Sequence, residues 1–570
     1  MRTITAQAAV ILTATTFCPL AHARDVAAGT KRVSVSSASA EGGDHSGTGP
    51  AYGHSISADG TSVVFLSVAS NLVAGDTNGV RDVFVRDCAS GTTTRVSIAT
   101  GGQQANGASA QPTISGDGRF VAYASSATNL AVGDTNGLDD VFMHDRVTGV
   151  TRLISKAPTA TVGNGTSELP RFSADGGSVC FWSAASDLVI GDTNGTGDVF
   201  VFDLALNLPR RVSVASSGGQ SNGNSAFGSI SADGRFVAFT STATNLAGPD
   251  SNGNWDIFVH DRQLGTTERI GPAAPIQWNA DATLPSISDT GRWIAFQSSA
   301  TNIAGPDTNG VLDVFVYDRH TSTAERASES SGGVESDGAS EDPAISGNGQ
   351  YVCFESAGTN LVVQDTNGVK DVFLRHLPSG ALDRVSLSDS GQQSNGLSAD
   401  PSISAVGAAV GFVSHASNLV AADSNLSPDA FVRDLGPGPI GNNYCVGATN
   451  SAGLSGRIAA MGSPFVADNN FTLVTRDAPP NKPGIFFYGP NQIQAPFGSG
   501  FRCVGGSTQR IQPPISTDAS GVACRPLDLN SGPALNDITN AAPVILNFQY
   551  WHRDSMGTTN LTDAVEVRFF

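Results

Sequence analysis

The chain has 570 residues, enough for several domains and an ample core. Glycine (65) and proline (28) are frequent and charged residues make up only 15%, the balance of a loop-rich all-β protein. A net charge of -19 argues against duplex nucleic acid or an anionic membrane surface as a partner, and suits cations or simple solubility.

The N-terminus reads Met1-Arg2, then an apolar run from Ala8 to Leu20, then Ala21-His22-Ala23. A basic start, a short apolar segment and an A-x-A site predict a secretory signal peptide over 1–23. Export follows: a secreted, periplasmic or cell-surface protein. No later segment reaches the ~20 apolar residues of a membrane span.

From Asp76 the sequence repeats. Asp76-Thr-Asn78-Gly-Val-Arg-Asp82-Val-Phe-Val-Arg-Asp87 returns from Asp134, Asp192, Asp250, Asp307, Asp365 and Asp423, at steps of 58, 58, 58, 57, 58 and 58 residues. A fixed period of this size signals a repeat architecture. The second copy shows the unit. Gln111 to Ser115 reads as a short strand a, Gly116-Asp117-Gly118 as a tight turn, and Arg119 to Ala124 as strand b. A long polar connection leads to Val141 to His144 as strand c, and a second turn to Thr151 to Ile154 as strand d. Strands b and c are apolar at successive positions, which predicts burial on both faces.

Seven such units predict a seven-bladed β-propeller over 24–435. The seventh makes no strand d, because it runs into Leu435-Gly-Pro-Gly438. A surplus strand d, Lys31-Arg-Val-Ser-Val35, sits at the other end and matches Thr94 to Ile98 and Asp383 to Leu387. The expectation is that it completes blade seven, with Val33 beside Phe431, and leaves no free edge.

Ser57-Ala-Asp-Gly60, Ser115-Gly-Asp-Gly118 and Ser231-Ala-Asp-Gly234, each before an apolar strand, resemble the TolB-like, WD40-like (PD40) propeller repeat of exported bacterial proteins. The resemblance covers about 400 residues. TolB-like rings are often six-bladed, whereas seven copies stand here. Peptidase members of that group carry an α/β-hydrolase domain, and no G-x-S-x-G elbow is found in this sequence.

The a–b and c–d connections are short, while b–c and d–a are long and rich in Asp, Asn, Ser, Gly and Gln. The long loops emerge on one face, which marks a candidate binding face for protein or carbohydrate; the alternative is that they pack only against each other.

Within them the Asp-x-Asn-Gly-x-x-Asp motif offers two carboxylates and an amide per copy. The candidate metal ligands are Asp76, Asn78, Asp82, Asp134, Asn136, Asp140, Asp192, Asn194, Asp198, Asp250, Asn252, Asp256, Asp307, Asn309, Asp313, Asp365, Asn367 and Asp371. Oxygen donors around an irregular turn suit Ca²⁺. They also suit turns capped by Asp and Asn alone. An EF-hand is rejected, since Asp87, at its twelfth position, lies ~16 Å away along an extended strand. The seventh copy, Asp423-Ser-Asn425-Leu426-Ser-Pro428-Asp429, has leucine for glycine and is expected to be weakest. Asn71, Asn129, Asp187, Asn245, Asn302, Asn360 and Asn418 precede each motif as ligands or Asx turns. Asp87, Asp145, Asp203, Asp261, Asp318 and Asp434 read as c–d turn caps.

No catalytic triad is suggested by the sequence. The main departures from symmetry are the d–a loops Lys156 to Glu168 and Gly271 to Leu284; in the second, Trp278 reads as a plug more than a stacking platform. Gly436 to Gly441 is composed as a linker, drawn over 436–443. The rest, 444–570, has apolar runs that predict a C-terminal β-sandwich, in which two of Cys445, Cys503 and Cys524 can pair. The reading is a secreted, monomeric, non-catalytic binding or scaffold propeller stabilised by calcium. The alternative is an extracellular hydrolase or lyase with one asymmetric site at the propeller mouth.

Overall fold

The computed structural model describes residues 29–47 and 55–435, apart from 160, 249, 273–275, 306, 379 and 422, together with a series of strands between 442 and 569. The signal segment, residues 436–441 and Cys445 fall outside the described residues, as do the side chains of Cys503 and Cys524. Every regular element described is a β-strand. None is a helix that could cross a membrane. The chain divides into two compact units, one spanning 27–442 and one built from strands between 443 and 569.

The first unit holds seven four-stranded antiparallel sheets, here called blades and numbered by their motif copy. In blade 2 the strands are Ser109–Ile114 (a), Phe120–Ser125 (b), Asp140–Asp145 (c) and Val150–Leu153 (d), paired in that order. Strand c opens on the second motif aspartate itself, in all seven copies. Strands b and c are apolar throughout because each sheet is covered on both sides. One cluster joins Val64, Val83 and Val96 of blade 1 to Val121, Tyr123 and Phe142 of blade 2. The core thus lies between blades, and no blade can bury its faces alone. A paired aromatic on strands b and c recurs, as in Phe65–Phe84, Phe181–Phe200 and Phe412–Phe431, each with ring centroids 5.7 Å apart.

The ring closes at two places. At the rim Gly29–Arg32 adds as strand d to Asp429–Asp434 of blade 7. Arg32 stands opposite Phe431, and the Val33 N–H donates to the Ala430 carbonyl at 2.8 Å. The expected register is therefore corrected by one residue: Arg32, not Val33, faces Phe431, as Arg95 faces Phe84 in blade 1. Nearer the axis the seven a–b turns form a circle of backbone hydrogen bonds. Ala58 donates to Gly116, Gly116 to Ala174, Asp175 to Ala232, Ala232 to Asp289, Asp289 to Gly347, Asn348 to Ala405, and Ala405 back to Ala58.

Strands a of neighbouring blades pack against one another, which places them nearest the axis. In blades 2–7 strand a carries a bulge at one position, where Gln111, Leu169, Phe227, Leu284, Asp342 and Asp400 adopt φ of 50–56°. Left-handed conformations in non-glycine residues cost energy and mark imposed geometry. These six residues sit toward the end of strand a that follows the long d–a loop, around the axis of the ring, at its mouth.

The C-terminal unit contains one six-stranded, one three-stranded and one two-stranded sheet among the described residues. Its long strands Pro483–Gly489, Val544–Arg553 and Thr559–Phe569 pair side by side. Phe486 and Tyr550 pack at 4.6 Å, beside Tyr488 and Phe548.

Candidate functional site

Each motif loop is a tight turn entering strand c. In blade 1 the Asn78 Oδ1 accepts the Val80 N–H, and its Nδ2 donates to Asp82 Oδ2 (2.9 Å) and to the Ala105 carbonyl in the next d–a loop (3.1 Å). Asn136, Asn194, Asn309 and Asn367 repeat this, with Nδ2 on Asp140, Asp198, Asp313 and Asp371. Asn252 accepts the Asn254 N–H in the same way, but its Nδ2 donates to the Trp278 carbonyl rather than to Asp256. Gly79 has φ +66°, which explains the Asn-Gly pair. In the seventh copy Leu426 takes the same conformation, φ 58°, so the loop survives the substitution.

The second aspartate is fully buried in every copy, between 0 and 2% exposed. Its Oδ1 accepts a serine hydroxyl from just after strand d, such as Ser97 to Asp82 (2.5 Å) and Ser155 to Asp140 (2.7 Å). Blade 4 has Gly271 at this place, and Trp278 packs over it.

In five blades both motif carboxylates meet one arginine, and in a sixth, blade 5, an arginine meets the second of them. Arg95 Nη1 lies 3.0 Å from Asp76 and 3.2 Å from Asp82. Arg211 makes the same contacts with Asp192 and Asp198, and Arg384 lies 3.1 Å from both Asp365 and Asp371. Arg269 stands further off, 3.9 Å from Asp250 and 3.4 Å from Asp256. Arg326 contacts Asp313 and Glu335, and Glu335 groups with Asp307 and Asp313. In blade 7 the closing strand supplies Arg32, which meets Asp423, Asp429 and Glu41. A planar, always-charged guanidinium suits a place between two carboxylates.

Blade 2 has no such arginine. The position is Leu153. Burial, opposed by the hydrogen bonds from Ser155 and Asn136 and reinforced by the Asp134 charge, pushes Asp140 up to about 7. Burial also raises Asp134, against the pull of the Asn136 backbone N–H, which stops short of hydrogen-bond geometry. In blade 4 burial and the Asp250 charge push Asp256 up to about 6.

The remaining sequence candidates have other employment. Asn129 donates to the Gln104 carbonyl and accepts from the Asn106 N–H, while Asn106 grips Thr128. Asn71, Asn245, Asn302, Asn360 and Asn418 make the same clamp, and Asp187 accepts from Asn164. The long loops of the elaborated face are thus stapled into one collar. Asp87, Asp145, Asp203, Asp261 and Asp318 cap c–d turns, and Asp145, Asp261 and Asp318 also hold Arg119, Arg235 and Arg292. Trp278 is a plug, 4% exposed and stacked on Phe296 at 5.0 Å. Cys180 and Cys353 are buried free thiols in separate blades.

Sequence reasoning offered a site at the propeller mouth as its alternative but named none of the acids found there. Around it Leu169, Phe227 and Leu284 give way to Asp342 and Asp400. Asp342, Glu355 and Asp400 bring carboxylate oxygens within 4.8 Å of one another. Lys370 bonds Glu355 (2.7 Å) and Glu341 (2.8 Å), and the Asp400 N–H donates to Glu355. Burial, with the Glu355 and Glu341 charges, holds Asp342 at about 7. A polar groove lined by Gln364, Arg384, Gln393 and Asn395 opens on the loop face at blade 6.

Fold and loops together define a seven-bladed β-propeller built of repeated four-stranded antiparallel sheets. Among solved structures the chain resembles an oligogalacturonate lyase from Vibrio parahaemolyticus at 12% identity, TM-score 0.44, over 72% of this chain and 94% of that one. It also resembles a protein assigned as TolB from Agrobacterium tumefaciens at 17% identity, TM-score 0.32, over 51% and 83%. A third is the tricorn protease, at 9% identity, TM-score 0.23, over 90% and 48%. No family model and no curated protein matches the chain.

Proposed function

We propose that this protein is an exported, monomeric, non-catalytic binding or scaffold propeller, and that its partner, a protein or carbohydrate, docks on the collar of long loops. The observation that carries this reading is the difference between the two faces. One presents tight turns. The other presents long polar loops held rigid by the asparagine clamps, from which Val132, Ile190 and Val363 project at 90% exposure or more. Rigid loops lose little entropy on binding, and exposed apolar side chains on a polar rim supply contact area.

A second reading has its own support. The acid group at the mouth, with Asp342 held near neutrality beside Glu355, is a pair of carboxylates in unlike environments. Such a pair can divide acid and base roles in a hydrolase or lyase.

A glycan and peptide array probed with the full chain separates the two. Binding lost in Val132→Asp/Ile190→Asp/Val363→Asp and kept in Val147→Asp/Leu264→Asp, on the turn face, supports the first reading. Turnover of an arrayed polysaccharide that disappears with Asp342→Asn supports the second.

A further inference from the structure

Blade 2 departs from the other six in two linked ways. Leu153 replaces the arginine, and Val162 replaces the Gln or Glu that elsewhere reaches back to the motif loop, as Gln104 does to Thr77, Gln220 to Thr193 and Glu335 to Thr308. Arg152, one residue earlier, falls on the opposite side of the strand and is exposed. The acids are nevertheless kept. Asp134 is 5% exposed, the most buried of the first motif aspartates, and neither of its oxygens has a hydrogen-bond partner. A buried carboxylate with no donor and no counter-charge is costly, and proteins keep such groups where something else completes them.

We propose that blade 2 binds one divalent metal cation, calcium by its ligand chemistry, at the place a guanidinium nitrogen holds in the other blades. In blades 1, 3 and 6 that nitrogen lies 3.0–3.2 Å from an oxygen of each aspartate, so a cation there meets both carboxylates. Calcium accepts six to eight oxygens in irregular arrangements, whereas magnesium demands a near-ideal octahedron. Asp134 and Asp140 supply the carboxylate oxygens; loop carbonyls and water supply the rest. The three-acid groups elsewhere already hold a cationic side chain: Arg32 with Glu41, Asp423 and Asp429; Arg326 with Asp313 and Glu335; Lys370 with Glu355. The inference goes beyond the binding reading and holds whichever partner the loop face takes.

The test is calorimetric titration of chelator-treated full-length protein with calcium chloride, alongside thermal melts. The wild type should take up one more equivalent of calcium per chain than Leu153→Arg, which copies the other blades, and than Asp134→Asn. Its melting temperature should rise with calcium by more than theirs. Circular dichroism checks that both variants are folded, and the isosteric Asp134→Asn decides if Leu153→Arg is not. Equal uptake by wild type and the folded variants, including no uptake by any of them, overturns the proposal.

Discussion

The backbone N–H of Ala405 donates to the carbonyl oxygen of Ala58 at 3.0 Å, joining blade 7 to blade 1 across 347 positions of sequence. With the strand Gly29–Arg32 at the rim, this contact turns a row of sheets into a ring. Val33 follows that strand, is 1% exposed, and packs with Ile56, Ala430 and Val432. Val33→Ala should cost about 1–3 kcal/mol by chemical denaturation. A chain starting at residue 36 should lose considerably more, because it exposes the edge of blade 7.

Removing an arginine clamp should be expensive in a pH-dependent way. Arg211→Met leaves Asp192 and Asp198 buried with no counter-charge, and should cost about 3–5 kcal/mol near neutral pH. Burial already raises Asp198, and loss of the guanidinium raises it further. The folded variant then holds protons that the unfolded chain releases, so its stability falls as pH rises above the ordinary carboxylate range. The deficit against wild type should be largest near pH 8 and shrink toward pH 4, read from urea midpoints across that range.

Asp342 gives a second pH signature. Its carboxyl is held at about 7 by burial and by Glu355 and Glu341. An acid raised in the folded state contributes a penalty that begins above its unfolded pKa and is complete above its folded one. Asp342→Asn should therefore be more stable than wild type at about pH 8 and no more stable at about pH 4, measured by thermal melts.

Gly228 in strand a of blade 4 stands where blades 2, 3, 5, 6 and 7 have proline, and a Cβ there would lie 2.4 Å from Cys180 Sγ. Gly228→Ala should destabilise by about 1–3 kcal/mol through overpacking. Cys180→Ala should recover most of that loss, and a double-mutant cycle reads the coupling.

The period, the blade count, the turn positions and the closing strand were all legible in the sequence, because a repeat displays each feature seven times. The register slipped by one residue because Arg32-Val33-Ser34 reads equally well with either neighbour opposite Phe431. The arginine clamp was visible at a constant spacing, 13 residues after the second aspartate in Arg95, Arg211, Arg269, Arg326 and Arg384. It was read only as strand d, since apolar periodicity says where a strand runs and not which carboxylate a polar residue reaches. The asparagines before each motif read as ligands or Asx turns for the same reason; their partners are backbone groups of the neighbouring d–a loop, which sequence does not display. The acids of the mouth were hidden because Asp342, Glu355 and Asp400 come from two blades and meet only in the folded ring.

Anomalous diffraction from crystals grown with terbium in place of calcium tests the account most directly. A single peak in the propeller, between Asp134 and Asp140, with nothing between Asp76 and Asp82 or the other arginine-filled pairs, is the predicted result. Peaks in the arginine-holding blades, or a bare blade 2, would contradict it.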